Sequence, residues 1–198
     1  SQLQDYWGRA DIVNDGVEST RSDEGAARLG GSLAAASPAY ALILYGTNDW
    51  NLSACHRVIT CFTIENMRTM IRTAKAAGTL PVMATIIPAN PAYVDRLAEA
   101  RNAWIDDTNA ALVPMARSEG ALVADLHAAM LAADPDLPSL FTDHVHPDDR
   151  GYAAMADEFF RVLTQPVGTG GAAQGLNVRP EAAGPSAAGS SGKRHRPL

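Results

Sequence analysis

Tyr40-Ala41-Leu42-Ile43-Leu44-Tyr45-Gly46-Thr47-Asn48-Asp49 is the stretch that decides how the chain is read. Ala41 to Leu44 form an apolar run with no polar alternation, the pattern of a parallel strand buried on both faces. Gly46 then permits a sharp turn that a side chain would obstruct. Thr47, Asn48 and Asp49 follow as small polar groups just past the carboxyl end of the strand. Open α/β sheets place their ligands there. Asp49 is expected to brace the turn rather than react.

Upstream of this strand, Ala10–Asn14 reads as a short strand, and Asn14-Asp15-Gly16 as the turn that ends it. Ser22–Leu33 is an Ala-rich helix, weakened in its second half by Gly30-Gly31. Downstream, Asn51–Cys61 is a loop. Ile64, Met67, Met70, Ile71 and Ala74 fall on one helical stripe, closed by Gly78 as a C′ residue. Leu80–Ile87 is the next strand, and Pro88-Ala89-Asn90-Pro91 the loop after it. Tyr93, Leu97, Trp104, Ile105, Leu112 and Met115 mark a long amphipathic helix running to Gly120, with Pro91 suited to its start. Ala121–Asp125 is a last strand, His127–Ala133 a short helix, and Tyr152, Met155, Phe159 and Leu163 the apolar stripe of a final helix. Strands alternating with helices predict a parallel sheet covered on both faces.

Length and composition bound the functional classes. A chain of 198 residues allows one domain with a sizeable core. Its formal charge of −6 disfavours nucleic acid, which needs a basic face. No window approaches the roughly 18 apolar residues of a membrane span. From Val167 the composition turns to Gly, Ala, Pro and Ser, so 1–166 reads as the folded domain and 167–198 as a disordered tail. The sequence opens on Ser1, and a targeting segment is not readable from it.

A second landmark lies near the end of the domain, at Asp143-His144-Val145-His146-Pro147. An Asp three residues before a His can fold back and orient the imidazole as a general base. Gly46-Thr47-Asn48-Asp49 followed, after intervening helices, by Asp143-x-x-His146-Pro147 resembles the SGNH (GDSL-type) hydrolases. That resemblance covers roughly residues 8 to 165. It implies a flavodoxin-like three-layer α/β/α sandwich with strand order 2-1-3-4-5. It also implies a serine-type acyl hydrolase acting on small carboxylic or carbohydrate esters without a cofactor. Carried onto this chain, His146 is the general base, Asp143 its support, and Asn48 and Gly16 the oxyanion donors. Trp50, beside the turn, is a candidate wall for the acyl or alcohol group and equally a candidate lid over the core.

The family's first block, Gly-Asp-Ser with the nucleophile, occurs nowhere in this sequence. Ser1, Ser19, Ser22 and Ser53 lie in the wrong elements to replace it. The reading is therefore an N-terminally truncated member that lacks the first strand. By the family order that strand separates Ala10–Asn14 from Tyr40–Tyr45. Its loss would leave a gap of about 10 Å at the sheet centre, so the chain is expected to be poorly stable or to close its sheet differently. A non-catalytic module of the same fold, binding an acyl or sugar ligand, is the alternative. A flavin or nucleotide binder is disfavoured by the want of a Gly-rich phosphate loop after the first strand.

Two smaller readings complete the sequence. Asp143, His144, His146, Asp148 and Asp149 are dense in metal-ligand types, but alternating histidines point apart in an extended segment and no HExxH or Cys/His set accompanies them, so no metal is expected. Cys55 and Cys61 are either a disulfide bracing the loop beside the turn, which would imply export through an oxidising compartment, or two ordinary thiols of a cytoplasmic protein.

Overall fold

The computed structural model describes residues 2–58 and 61–165. The segment read as a disordered tail, 167–198, lies outside the described residues. In chain order the elements are α1 (Gln2–Trp7), α2 (Ser22–Ala36), β1 (Tyr40–Ile43), α3 (Thr63–Ala76), β2 (Leu80–Ala84), α4 (Ala98–Ser118), β3 (Leu122–Ala124), α5 (Leu126–Ala133) and α6 (Asp149–Thr164). The strands form one parallel sheet in the order β1-β2-β3, with Tyr40 opposite Leu80 and Val82 opposite Leu122.

β2 is the middle strand, and its sequence Leu-Pro-Val-Met-Ala is apolar throughout because both faces are covered. Val82 and Ala84 face one layer, where they pack with Met130 of α5 and Met155 and Leu163 of α6. Met83 faces the other, among Met67, Met70 and Ile71 of α3 and Leu112 and Met115 of α4. The helical stripe expected on α3 is the one buried there, and Gly78, with φ of +75°, closes that helix as expected.

Four expectations are corrected. Residues 10–14 form no strand: they run as irregular chain with Ile12 and Val13 exposed at 64% and 70%. An isolated extended segment has no ladder to satisfy its backbone, and no strand pairs with the outer edge of β1 among the described residues. In consequence β1 is an edge strand, not a strand buried on both faces. Ile43 is buried, but Leu42 is 47% exposed, beside a groove of about 210 Å³ lined by Leu3 and Ile12 together with Phe159 and Leu163 of α6. Finally, Tyr152 does not belong to the apolar stripe of α6; it is 54% exposed, while Met155 and Leu163 are buried. Pro91 likewise lies in a turn ahead of α4, which starts at Ala98.

Candidate active site

The turn after β1 is built by two residues with little freedom. Gly46 has φ of +117°, and a Cβ there would overlap the Ile86 side chain. Asp49 is fully buried; one carboxylate oxygen accepts from the Ser22 N–H at 2.9 Å and the other from the Thr63 hydroxyl at 2.6 Å. Ser22 and Thr63 are the first residues of α2 and α3, so one carboxylate ties two helix starts to the turn, where an anion is also favoured by both helix dipoles. The bracing role expected of Asp49 is the one observed.

Asn48 is held from both ends of its amide. Its Nδ2 donates to the Thr20 carbonyl at 3.1 Å, and its Oδ1 accepts from Asn51 Nδ2 at 3.3 Å. An amide nitrogen carries two protons, so one remains for an acceptor outside these contacts. Gly16 is placed differently from expectation. It is exposed, and its N–H donates to Asn14 Oδ1 at 3.0 Å. The backbone beside Asn48 is instead the turn at Val17–Thr20, in which Ser19 adopts φ of +60° and the Thr20 hydroxyl donates to the Val17 carbonyl at 2.7 Å. Nothing in a Ser-Thr pair announces a left-handed turn, so the sequence carried no signal for it.

The loop carrying Asp143 and His146 is a tight return. Phe141 and Pro147 form an antiparallel bridge, Thr142 N–H donates to the His146 carbonyl at 2.9 Å, and Asp148 N–H to the Leu140 carbonyl at 2.8 Å. Asp148 then caps α6 by accepting from the N–H groups of Arg150 and Gly151 at 2.9 Å. Gly151 lets the helix sit against this loop: a Cβ would stand 2.6 Å from the Leu140 carbonyl oxygen and 2.8 Å from Pro147 Cβ.

Within the loop, Asp143 Oδ1 accepts from the N–H groups of Val145 and His146, each at 2.8 Å, and Oδ2 lies 2.7 Å from His146 Nδ1. Burial works to raise the Asp143 carboxyl, but the Val145 N–H, the His146 side chain and the His146 N–H outweigh it and hold the group well below the usual carboxylate range. An ionised carboxylate only accepts, so Nδ1 bears a proton, and in the neutral ring Nε2 is the nitrogen able to accept one. The His146 side chain is 68% exposed, so that nitrogen is open to an incoming group.

Asn90, in the loop after β2, is the residue that fixes this return and was not singled out from the sequence. It is 4% exposed; its Nδ2 donates to the Asp143 carbonyl at 3.2 Å and its N–H to the His144 carbonyl at 3.0 Å. Its place at the carboxyl end of a strand was the available signal. Since β1 and β2 are parallel neighbours, the Asn48 turn and the Asp143–His146 loop stand at the same end of the sheet. No hydrogen bond joins Asn48 to His146 among the described residues.

Trp50 is only 4% exposed, stacked on His56 at 4.3 Å and packed with Trp104, Ile86 and Ile105. It is a buried platform under the site. His144 is half-buried, and desolvation pushes its imidazole down against the pull of Asp143. Cys55 and Cys61 are joined in a disulfide, and Trp104 Nε1 donates to the Val58 carbonyl inside that ring at 3.2 Å. No group of three metal-ligating side chains occurs among the described residues. No helix among them is long and apolar enough to cross a membrane.

Residues 1–154 match the model of the GDSL-like lipase/acylhydrolase family. The chain belongs to that family. Solved structures agree with the GDSL assignment. A variant of an acetyl xylan esterase from Geobacillus stearothermophilus aligns with a TM-score of 0.68 at 19% identity, over 82% of this chain and 77% of that one. A lipolytic G-D-S-L family protein from Veillonella parvula aligns at 0.66 and 17% identity, over 82% and 85%. A GDSL-like lipase from Bacteroides thetaiotaomicron aligns at 0.61 and 21%, over 76% and 72%. At these identities the likeness establishes the fold: a parallel sheet flanked by helices. No curated protein matches the sequence.

Proposed function

We propose that this GDSL-family chain serves as the base-and-oxyanion part of a serine-type carboxylic ester hydrolase. The observation that carries the reading is the Asp143–His146 pair, with Nδ1 2.7 Å from the carboxylate and the ring open to solvent. In this reading a serine hydroxyl attacks the acyl carbonyl, His146 Nε2 takes its proton and returns it to the leaving alcohol, and Asp143 steadies the imidazolium. The spare Asn48 Nδ2 proton meets the developing oxyanion, a donor of a kind worth about 3 kcal/mol of barrier. A second donor is expected from the neighbouring backbone. The Gly16 N–H serves only if it leaves Asn14, and the Val17–Thr20 turn, which Asn48 contacts at the Thr20 carbonyl, is the other source. Substrates are small acyl or carbohydrate esters, and the chemistry needs no cofactor.

The nucleophile is the open part of this reading. Because Gly-Asp-Ser is absent, we assign the serine to sequence outside these 198 residues. The edge of β1 that is unpaired among the described residues, with Leu42 exposed, is where a further strand of a flavodoxin-like sheet would add. The same absence favours a second reading, a module that binds an ester and does not cleave it. Incubation of the full reading frame that encodes this chain with short p-nitrophenyl esters separates the two. Release of nitrophenolate that His146→Ala abolishes supports the hydrolase. Binding of the ester with no release supports the module.

A further inference from the structure

Arg101 stands in the first turn of α4, is 6% exposed, and meets no carboxylate within ion-pair distance among the described residues. Its Nη2 donates to Asn51 Oδ1 at 2.8 Å, its Nη1 reaches the Thr47 carbonyl at 3.4 Å, and its Nε has no partner. A guanidinium has five N–H groups, so three are unspent: the buried Nε–H and one on each Nη. Its Cζ lies over Trp50, 5.9 Å from the ring centroid. The more exposed arginines of the chain are matched with acids: Arg68 and Arg72 with Glu119, Arg161 with Glu158, Arg28 with Asp15.

A buried unpaired cation is costly, and a helix N-terminus makes it more so. As a brace for the Thr47–Asn51 turn, a neutral amide would serve at less cost. The position of the charge gives it a use. Thr47 and Asn51 bracket Asn48, and the guanidinium is close enough to His144 to help lower its imidazole, after burial. Its contacts therefore place it against the oxyanion turn.

We propose that the site takes esters bearing a carboxylate, which docks on the unspent Nη N–H groups of Arg101. This names the substrate class and rests on the hydrolase reading above. The fork geometry of a guanidinium suits a carboxylate, and the planar Trp50 beneath keeps the fork in place.

The test is a titration of the full chain with monomethyl glutarate, an anionic ester, and with dimethyl glutarate, its neutral counterpart. The Arg101 Nε–H resonance is followed by NMR and assigned by its loss in Arg101→Lys. Monomethyl glutarate is expected to shift that resonance saturably and to bind at least about tenfold more tightly than the diester, a preference that Arg101→Gln removes and added salt weakens. Equal binding of the two esters, or no shift with the anionic one, overturns the proposal. The wild-type comparison stands even if the Gln variant does not fold. Failure of the hydrolase reading shows separately: the anionic ester binds at Arg101 yet is never cleaved by the full reading frame that encodes this chain.

Discussion

Replacing Asp49 tests whether one buried carboxylate organises the site. Asp49→Ala removes the acceptor for the Ser22 N–H and for the Thr63 hydroxyl, and both donors belong to residues with no exposure. A buried donor left without a partner costs about 1–3 kcal/mol, so the pair costs about 2–6 kcal/mol. The native state of a domain is worth only about 5–15 kcal/mol, so this is a large fraction of the total. At about 2–4 °C per kcal/mol for a chain of this size, Tm should fall by about 5–20 °C. Asp49→Asn is the control. Its Oδ1 can still accept from Ser22 and its amide can donate to Thr63, so only the charge assistance is lost, about 1–2 kcal/mol. Urea unfolding followed by circular dichroism gives both values. An Ala variant within about 0.5 kcal/mol of wild type, or Ala and Asn variants that cost the same, would refute the claim that these two hydrogen bonds hold the turn.

Three further outcomes follow from the same structure. Arg72 and Arg68 hold the Glu119 carboxyl down from 4.5 to about 2. Its folded value lies below its unfolded one, so the Glu119 contribution is fully present above about pH 4.5 and is lost as pH falls towards 2; acid melts of wild type should steepen across that window and those of Glu119→Gln should not. Reducing Cys55–Cys61 opens a short ring and should cost about 2 kcal/mol, read as a lower urea midpoint in dithiothreitol, whereas two free thiols in the untreated denatured chain would contradict the bridge. Asp143→Asn should abolish the downfield Nδ1–H resonance of His146 while leaving the fold intact, and should lower ester turnover on the order of 10⁴-fold where turnover is measured.

The residues that could be read early share one property: their chemistry is local. The β1–Gly46–Asp49 turn follows from an apolar run, a glycine and small polar groups within ten positions. Asp143 and His146 are three apart, so their contact needs only a tight loop. What stayed hidden depends on partners far along the chain. Residues 10–14 have strand-like composition, but a strand exists only when a neighbour completes its ladder, and here the edge of β1 does not reach them. Asn90 and Arg101 act on segments 53 and 54 positions away, and an isolated Asn or Arg carries no periodic signal. Trp50's place after the turn fits a pocket wall and a lid over the core alike; its burial comes from packing with Ile86, Trp104 and Ile105, which lie far along the chain.

The central claim is that His146 serves a nucleophilic serine carried outside this chain. Its most direct test is intact-mass analysis after treatment with a fluorophosphonate, on the folded 198-residue chain and on the full reading frame that encodes it. The account predicts no adduct on the chain, and in the full reading frame a single phosphonyl group on a serine outside these residues, lost in His146→Ala. An adduct on a serine within the chain, or none on either folded protein, would contradict it.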